Sequence, residues 1–135
     1  TALRAGDQVS LTGVMTTARD TAHKFLIETY IRVDERTAEL ELYEELKKIL
    51  DGGAIYHCGP VVARGEDGAW RFVAAGPTTS IREEVYEPEV IEHFNVKAVI
   101  GKGGMGPNTL KANQEHKAVY LSAIGGAVRR VVART

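Results

Sequence analysis

Val96-Lys97-Ala98-Val99-Ile100-Gly101-Lys102-Gly103-Gly104-Met105-Gly106 decides the fold class, because a short apolar run passes directly into a glycine-rich loop. Such a run, bounded by loops, fits a buried strand. Thr109 to His116 then reads as a helix, Val119 to Ile124 as a second strand, and Gly125-Gly126 as the turn into a last helix running to Thr135. Strands alternating with helices imply layered α/β architecture around a partly parallel sheet.

Outward from there, Pro88 at a first helical position introduces Glu89 to Phe94. Val61 to Arg64 and Ala69 to Ala75 flank the turn Gly65-Glu66-Asp67-Gly68, the pattern of a hairpin. Ala54 to Cys58 looks extended. Glu35 to Leu50 repeats Leu42, Leu46, Ile49 and Leu50 at helical spacing, with Gly52-Gly53 as its stop. Ala18 to Ile31 reads as another helix, capped by Thr16 or Thr17. Gln8 to Met15 alternates like a half-buried strand. The first half is expected to contribute antiparallel pieces, making the central sheet mixed.

The chain has 135 residues, enough for one core, so a single domain is expected over 1–135. With 17 basic against 18 acidic side chains there is no global field to attract nucleic acid or an anionic membrane. No apolar run approaches the length of a membrane span, and a cytoplasmic protein is expected. A single cysteine, Cys58, excludes an internal disulfide and a cluster or structural zinc site built by this chain alone. The absence of Met at Thr1 and the ending inside a helical run suggest a fragment or a subunit.

Three loops carry candidate chemistry. Gly101, Gly103 and Gly106 match G-x-G-x-x-G, and with Lys102 they would suit an anion. A dinucleotide site, however, needs an acidic residue about 20 positions on, and none follows Glu115. Gly76-Pro77-Thr78-Thr79-Ser80-Ile81-Arg82 gathers hydroxyls and an arginine, a carboxylate receptor. The same residues read equally as a capping box, Thr79 or Ser80 with Glu83. Thr16-Thr17-Ala18-Arg19-Asp20 places an arginine against a helix dipole, which a bound anion or an ion pair with Asp20 would explain. His23, His57, His93 and His116 lack metal-ligand spacing and read as surface or packed histidines, and Cys58 as a core thiol. A compact dianion would suit the three cations.

Taken together, Leu11-Thr12-Gly13, Thr17-Ala18-Arg19-Asp20-Thr21-Ala22-His23-Lys24, Gly59-Pro60, Gly76-Pro77-Thr78-Thr79-Ser80 with Arg82, and Ile100-Gly101-Lys102-Gly103-Gly104-Met105 resemble the C-terminal domain of class I fumarases and the β subunit of tartrate dehydratase. The resemblance implies a swivelling β/β/α fold and reversible hydration of a four-carbon dicarboxylate. It implies Arg19, Arg82 and Lys102 as substrate-carboxylate ligands, Thr78 as the residue taking the proton from carbon, and Thr79, Gly101 and Gly103 as loop contacts. It also implies a [4Fe–4S] cluster on a partner α subunit or domain, with no metal held by this chain, in a higher oligomer of αβ units. The family's chain continues beyond the equivalent of Thr135, so a terminal tail is expected to be missing. Fumarate hydratase, interconverting fumarate and malate, is the first reading; a tartrate dehydratase β subunit and a non-catalytic anion- or nucleotide-binding module are the alternatives.

Overall fold

The computed structural model describes residues 2–124; the helix expected from Gly126 lies outside them. The central sheet has four strands, β1 (Met15–Thr17), β2 (Ala54–Tyr56), β5 (Ala98–Gly101) and β6 (Val119–Ser122), in the order β1-β2-β5-β6. All three pairings are parallel. The expected mixed sheet is therefore corrected: among the described residues the antiparallel strand pair is a separate hairpin, β3 (Val61–Arg64) with β4 (Trp70–Ala74), beside one isolated antiparallel bridge, Cys58 with Pro77. The physical reason is that helical segments separate each sheet strand from the next, and such crossovers return the chain in the same direction.

Four α-helices supply those crossovers: α1 (Asp20–Leu26), α2 (Leu40–Leu50), α3 (Glu87–Phe94) and α4 (Pro107–His116). Alternation along the buried strands sends Ile55 and Val99 toward the helices, where they join Tyr30, Leu50, Val90, Ile91 and Phe94 in the main core. Tyr56 and Ile100 belong to a smaller cluster with Cys58 and Ala75.

Several sequence expectations shift at their edges. Gln8 to Leu11 is irregular and exposed, and the first strand starts only at Met15, because alternation without a neighbouring strand forms no ladder. Helix α1 begins at Asp20 with Arg19 as N-cap and no side-chain cap, so neither Thr16 nor Thr17 caps it; beyond Leu26 the chain widens into a π turn over Ile27–Ile31. Helix α2 starts at Leu40 rather than Glu35, because Glu39 adopts a left-handed conformation, φ 52°. Its buried residues are Tyr43 and Leu50, while Leu42 and Ile49 remain exposed. Pro107 opens α4 in the first turn, where a missing N–H costs nothing.

Candidate carboxylate site at the strand ends

Because the four sheet strands run in one direction, Thr17, Tyr56, Gly101 and Ser122 end along one edge. Ligands of open α/β sheets lie outside this edge. Arg19 follows β1 by two residues and Lys102 follows β5 by one. The Pro77–Ser80 segment bridges the residues that follow β2 and β5. Thr78 N–H donates to His57 O (2.7 Å), Ser80 N–H donates to Lys102 O (3.0 Å), and Thr79 bridges to Lys102. Thr78 Oγ1 also donates to His57 O, at 3.2 Å. From Ser80 the chain turns through a short 3-10 helix, Ser80–Glu83, which carries Arg82.

Arg19, Arg82 and Lys102, far apart in sequence, are thus attached to adjoining segments of the same edge. All three are exposed, and among the described residues none is held in an ion pair. Both arginines act electrostatically on Asp20, yet neither is locked to it. Arg19 lies across Gly59: a Cβ there would stand 2.5 Å from Arg19 Cδ, so any larger residue would displace the arginine side chain from this position. Arg19, Asp20, Thr17, Cys58, Gly59 and Pro60 line a cleft of about 370 Å³. Cys58 is buried, and burial raises its thiol pKa despite the nearby Arg19 charge, consistent with a core thiol.

Gly101 is buried and faces Ser80, while Lys102, Thr79 and Gly103 are exposed, and Gly103 takes φ +79°. The helix N-terminus that a nucleotide phosphate would occupy is filled by the protein itself. Glu84 accepts hydrogen bonds from Gly106 N–H (2.9 Å), Asn108 N–H (2.8 Å), Thr109 N–H (3.1 Å) and Thr109 Oγ1–H (2.6 Å). Burial opposes its charge, but these donors outweigh burial and hold its pKa low. A carboxylate already satisfies the donors, so a dinucleotide has no place there.

Sequence reasoning missed the acids and histidines behind this rim. His23, His57, Ser80, Glu83 and Glu87 are all fully buried. Glu87 Oε2 accepts from His57 Nε2–H (2.8 Å) and lies 2.6 Å from His23 Nε2. The second contact is an ion pair without the alignment of a hydrogen bond. Burial alone would raise the Glu87 pKa, but His23 and His57 hold it down to about 2. Burial likewise disfavours a charged His23, yet Glu87 and the Arg19 carbonyl together raise its pKa. Two histidines and a carboxylate are also metal-ligand types. Their spacing is that of shared protons: ligands placed about 2.0–2.2 Å from a common zinc ion would be forced farther apart than these contacts.

Ser80 bonds His57 Nδ1 (2.8 Å), and Thr79, the N-cap of the 3-10 turn, makes no side-chain cap, so the capping box is not formed. Glu83 is fully buried near Asp20, and its two carboxyl oxygens have no hydrogen-bond partner among the described residues. Burial first and Asp20 second push the Glu83 pKa up to about 8, and the Asp20 pKa is lowered, chiefly by Glu83. No local signal marked these pairs, because His57 and Glu87 stand 30 residues apart.

A larger cavity, about 640 Å³, lies beneath the N-terminal segment against Tyr56, Ile100 and Leu121. Its lining is mainly apolar and includes none of Arg19, Thr78, Arg82 and Lys102.

The chain is 46% identical over 127 residues to a putative fumarate hydratase class I of Geobacillus stearothermophilus, covering 94% of this chain and 22% of that protein. It is 42% identical over 119 residues to the L(+)-tartrate dehydratase subunit beta of Escherichia coli (strain K12), covering 88% of this chain and 52% of that one. A putative L(+)-tartrate dehydratase subunit beta of Methanocaldococcus jannaschii is 40% identical over 124 residues, with 92% and 58% covered. The chain therefore spans from 22% to 58% of the length of these relatives. Residues 1–134 match the family described as Fumarase C-terminus, and the chain belongs to that family.

Proposed function

We propose that this chain is the β subunit, or C-terminal domain, of an iron–sulphur-dependent hydro-lyase that reversibly hydrates fumarate to malate. The observation that carries the proposal is the set of three exposed cations on adjoining segments at the strand ends, free of ion pairs among the described residues. Dehydration of malate removes a proton from one carbon and hydroxide from its neighbour. Negative charge developing next to a carboxylate is best stabilised by fixed cations, and Arg19, Arg82 and Lys102 supply them. Arginine forks bind both oxygens of a carboxylate.

Thr78 is assigned to take the proton from carbon, with Thr79, Gly101 and Gly103 as loop contacts. A threonine hydroxyl is a weak base, so its activation is assigned to the surrounding cations and to acids of the partner. The one cysteine here is buried and a single thiol does not fit a [4Fe–4S] cluster; the cluster is assigned to the α subunit or domain, where it supplies Lewis acidity toward the departing hydroxyl. Dependence on that partner, the swivelling character of the β/β/α domain and assembly into oligomers of αβ units belong to the same proposal. The name of the Escherichia coli relative supports tartrate as the second candidate substrate.

A side-by-side assay of fumarate, malate and tartrate, using the full-length protein assembled with its cluster-bearing partner, tests the proposal. Interconversion of fumarate and malate faster than loss of water from tartrate is expected. Preference for tartrate would select the second substrate, and inactivity toward all three would refute the hydro-lyase assignment.

A further inference from the structure

Glu87, in the first turn of α3, touches no solvent, yet paths of polar contacts from all three cationic loops meet at its carboxylate, hydrogen-bonded throughout except at the close His23 contact. The first path starts at the Arg19 carbonyl, which accepts from His23 Nδ1–H (2.9 Å), while His23 Nε2 lies against Glu87. The second passes through His57. A carboxylate only accepts, so His57 Nε2 carries the proton toward Glu87, and in that tautomer Nδ1 accepts from Ser80 Oγ–H. The His57 carbonyl meanwhile holds both the backbone N–H and the hydroxyl of Thr78. The third path extends the second: Tyr120 O–H donates to Ser80 Oγ (3.0 Å), and Gly104 N–H donates to the Tyr120 oxygen (3.3 Å).

We infer that Glu87 is a positioning residue for the dicarboxylate site, tying the Arg19, Thr78 and glycine-loop backbones to one buried acceptor through His23, His57, Ser80 and Tyr120. The inference rests on the functional assignment above and adds to it what sets the spacing of the cations. Buried polar contacts hold their members rigidly where they are satisfied. Both ring nitrogens of His57 are bonded, with Ser80 and Tyr120 in line behind it, while His23 Nε2 is held to Glu87 by close approach alone. A displacement of about 1 Å at a reacting centre can cost about a hundredfold in rate, so a common anchor for three loops has a catalytic consequence although Glu87 reaches no substrate. Glu87→Gln removes the negative charge that both histidines face, and Tyr120→Phe removes the hydroxyl and with it the contacts to Ser80 and Gly104.

The test uses the full-length protein with its partner and compares wild type, Glu87→Gln, Tyr120→Phe and the double variant. Each single variant should lower kcat/KM for the preferred dicarboxylate by about tenfold to a hundredfold. The double variant should lose no more than Glu87→Gln alone, because both cut one chain of contacts. Multiplied losses, or wild-type kinetics in Glu87→Gln, would overturn the inference. If Glu87→Gln does not fold, Tyr120→Phe with Ser80→Ala measures the same coupling along the outer arm, and full multiplicativity there is equally fatal. A readout independent of turnover is the Gly104 amide resonance, which should move in Glu87→Gln, or in Ser80→Ala where Glu87→Gln does not fold, as well as in Tyr120→Phe. An unmoved resonance contradicts the anchor. A wild-type complex inactive toward every dicarboxylate, with that resonance moving, would sink the hydro-lyase assignment and leave the physical link among the loops standing.

Discussion

A Cβ placed on Gly101 would lie 1.8 Å from Ser80 Oγ and 3.0 Å from His57 Nδ1. The end of β5 and the hydroxyl-rich turn therefore close together only because position 101 lacks a side chain. Gly101→Ala should push Ser80 off His57 and destabilise the protein by about 1–3 kcal/mol, the usual cost of overfilling a packed site. Denaturant unfolding measures it; an unchanged midpoint would show that the turn yields without strain.

Arg82 is exposed and makes no ion pair among the described residues, so its removal should leave the fold intact. A hydrogen bond to a charged group is worth about 1.5–3 kcal/mol, hence Arg82→Ala should lower kcat/KM by about tenfold to a hundredfold with partner association unchanged. Wild-type kinetics in the assembled complex would remove Arg82 from the site.

Glu84 satisfies the first turn of α4 from outside the helix. Glu84→Ala leaves those donors bare and should cost about 0.5–2 kcal/mol in thermal or denaturant unfolding, as losing an N-cap does. The loss should be larger at neutral pH than in acid: the lowered pKa means that the wild-type carboxylate stabilises above its unfolded pKa and stops doing so as pH falls through its folded one.

The candidate rim was read from local signals: Arg19 and Lys102 closely follow strand ends, and Thr78 and Arg82 sit in a run of hydroxyls. What stabilises the rim was not legible. His23 and Glu87 are 64 positions apart and Ser80 and Tyr120 are 40, and no spacing rule connects residues so distant in sequence. The same blindness to distant partners carried the strand expected over Gln8 to Met15 too far back: Met15 opens β1, and among the described residues no strand pairs with those before it. Glu83 fitted a capping box on paper, but it is buried near Asp20 instead.

That burial makes stability depend on pH with a definite sign. Glu83 has a folded pKa of about 8 against an ordinary 4.5, so between these values the folded protein holds a proton that the unfolded chain has released. Stability must fall as pH rises through that window. His23, whose pKa is raised from 6.5, adds a loss of the same sign as pH rises through its folded pKa. Glu87 works oppositely: its contribution is present above 4.5 and is lost toward about 2. In Glu83→Gln the decline between pH 4.5 and 6.5 should flatten, as followed by denaturant midpoints across pH. An unaltered slope would mean that Glu83 is not the proton holder.

The site itself is tested most directly by locating a four-carbon dicarboxylate bound to the full-length protein in its assembled complex. One carboxylate should lie within hydrogen-bonding distance of an arginine fork, Arg19 or Arg82, the ligand should span toward Lys102, and a hydrogen-bearing carbon should face Thr78 Oγ1. A dicarboxylate held elsewhere, with these four side chains turned to bulk water, would contradict the account.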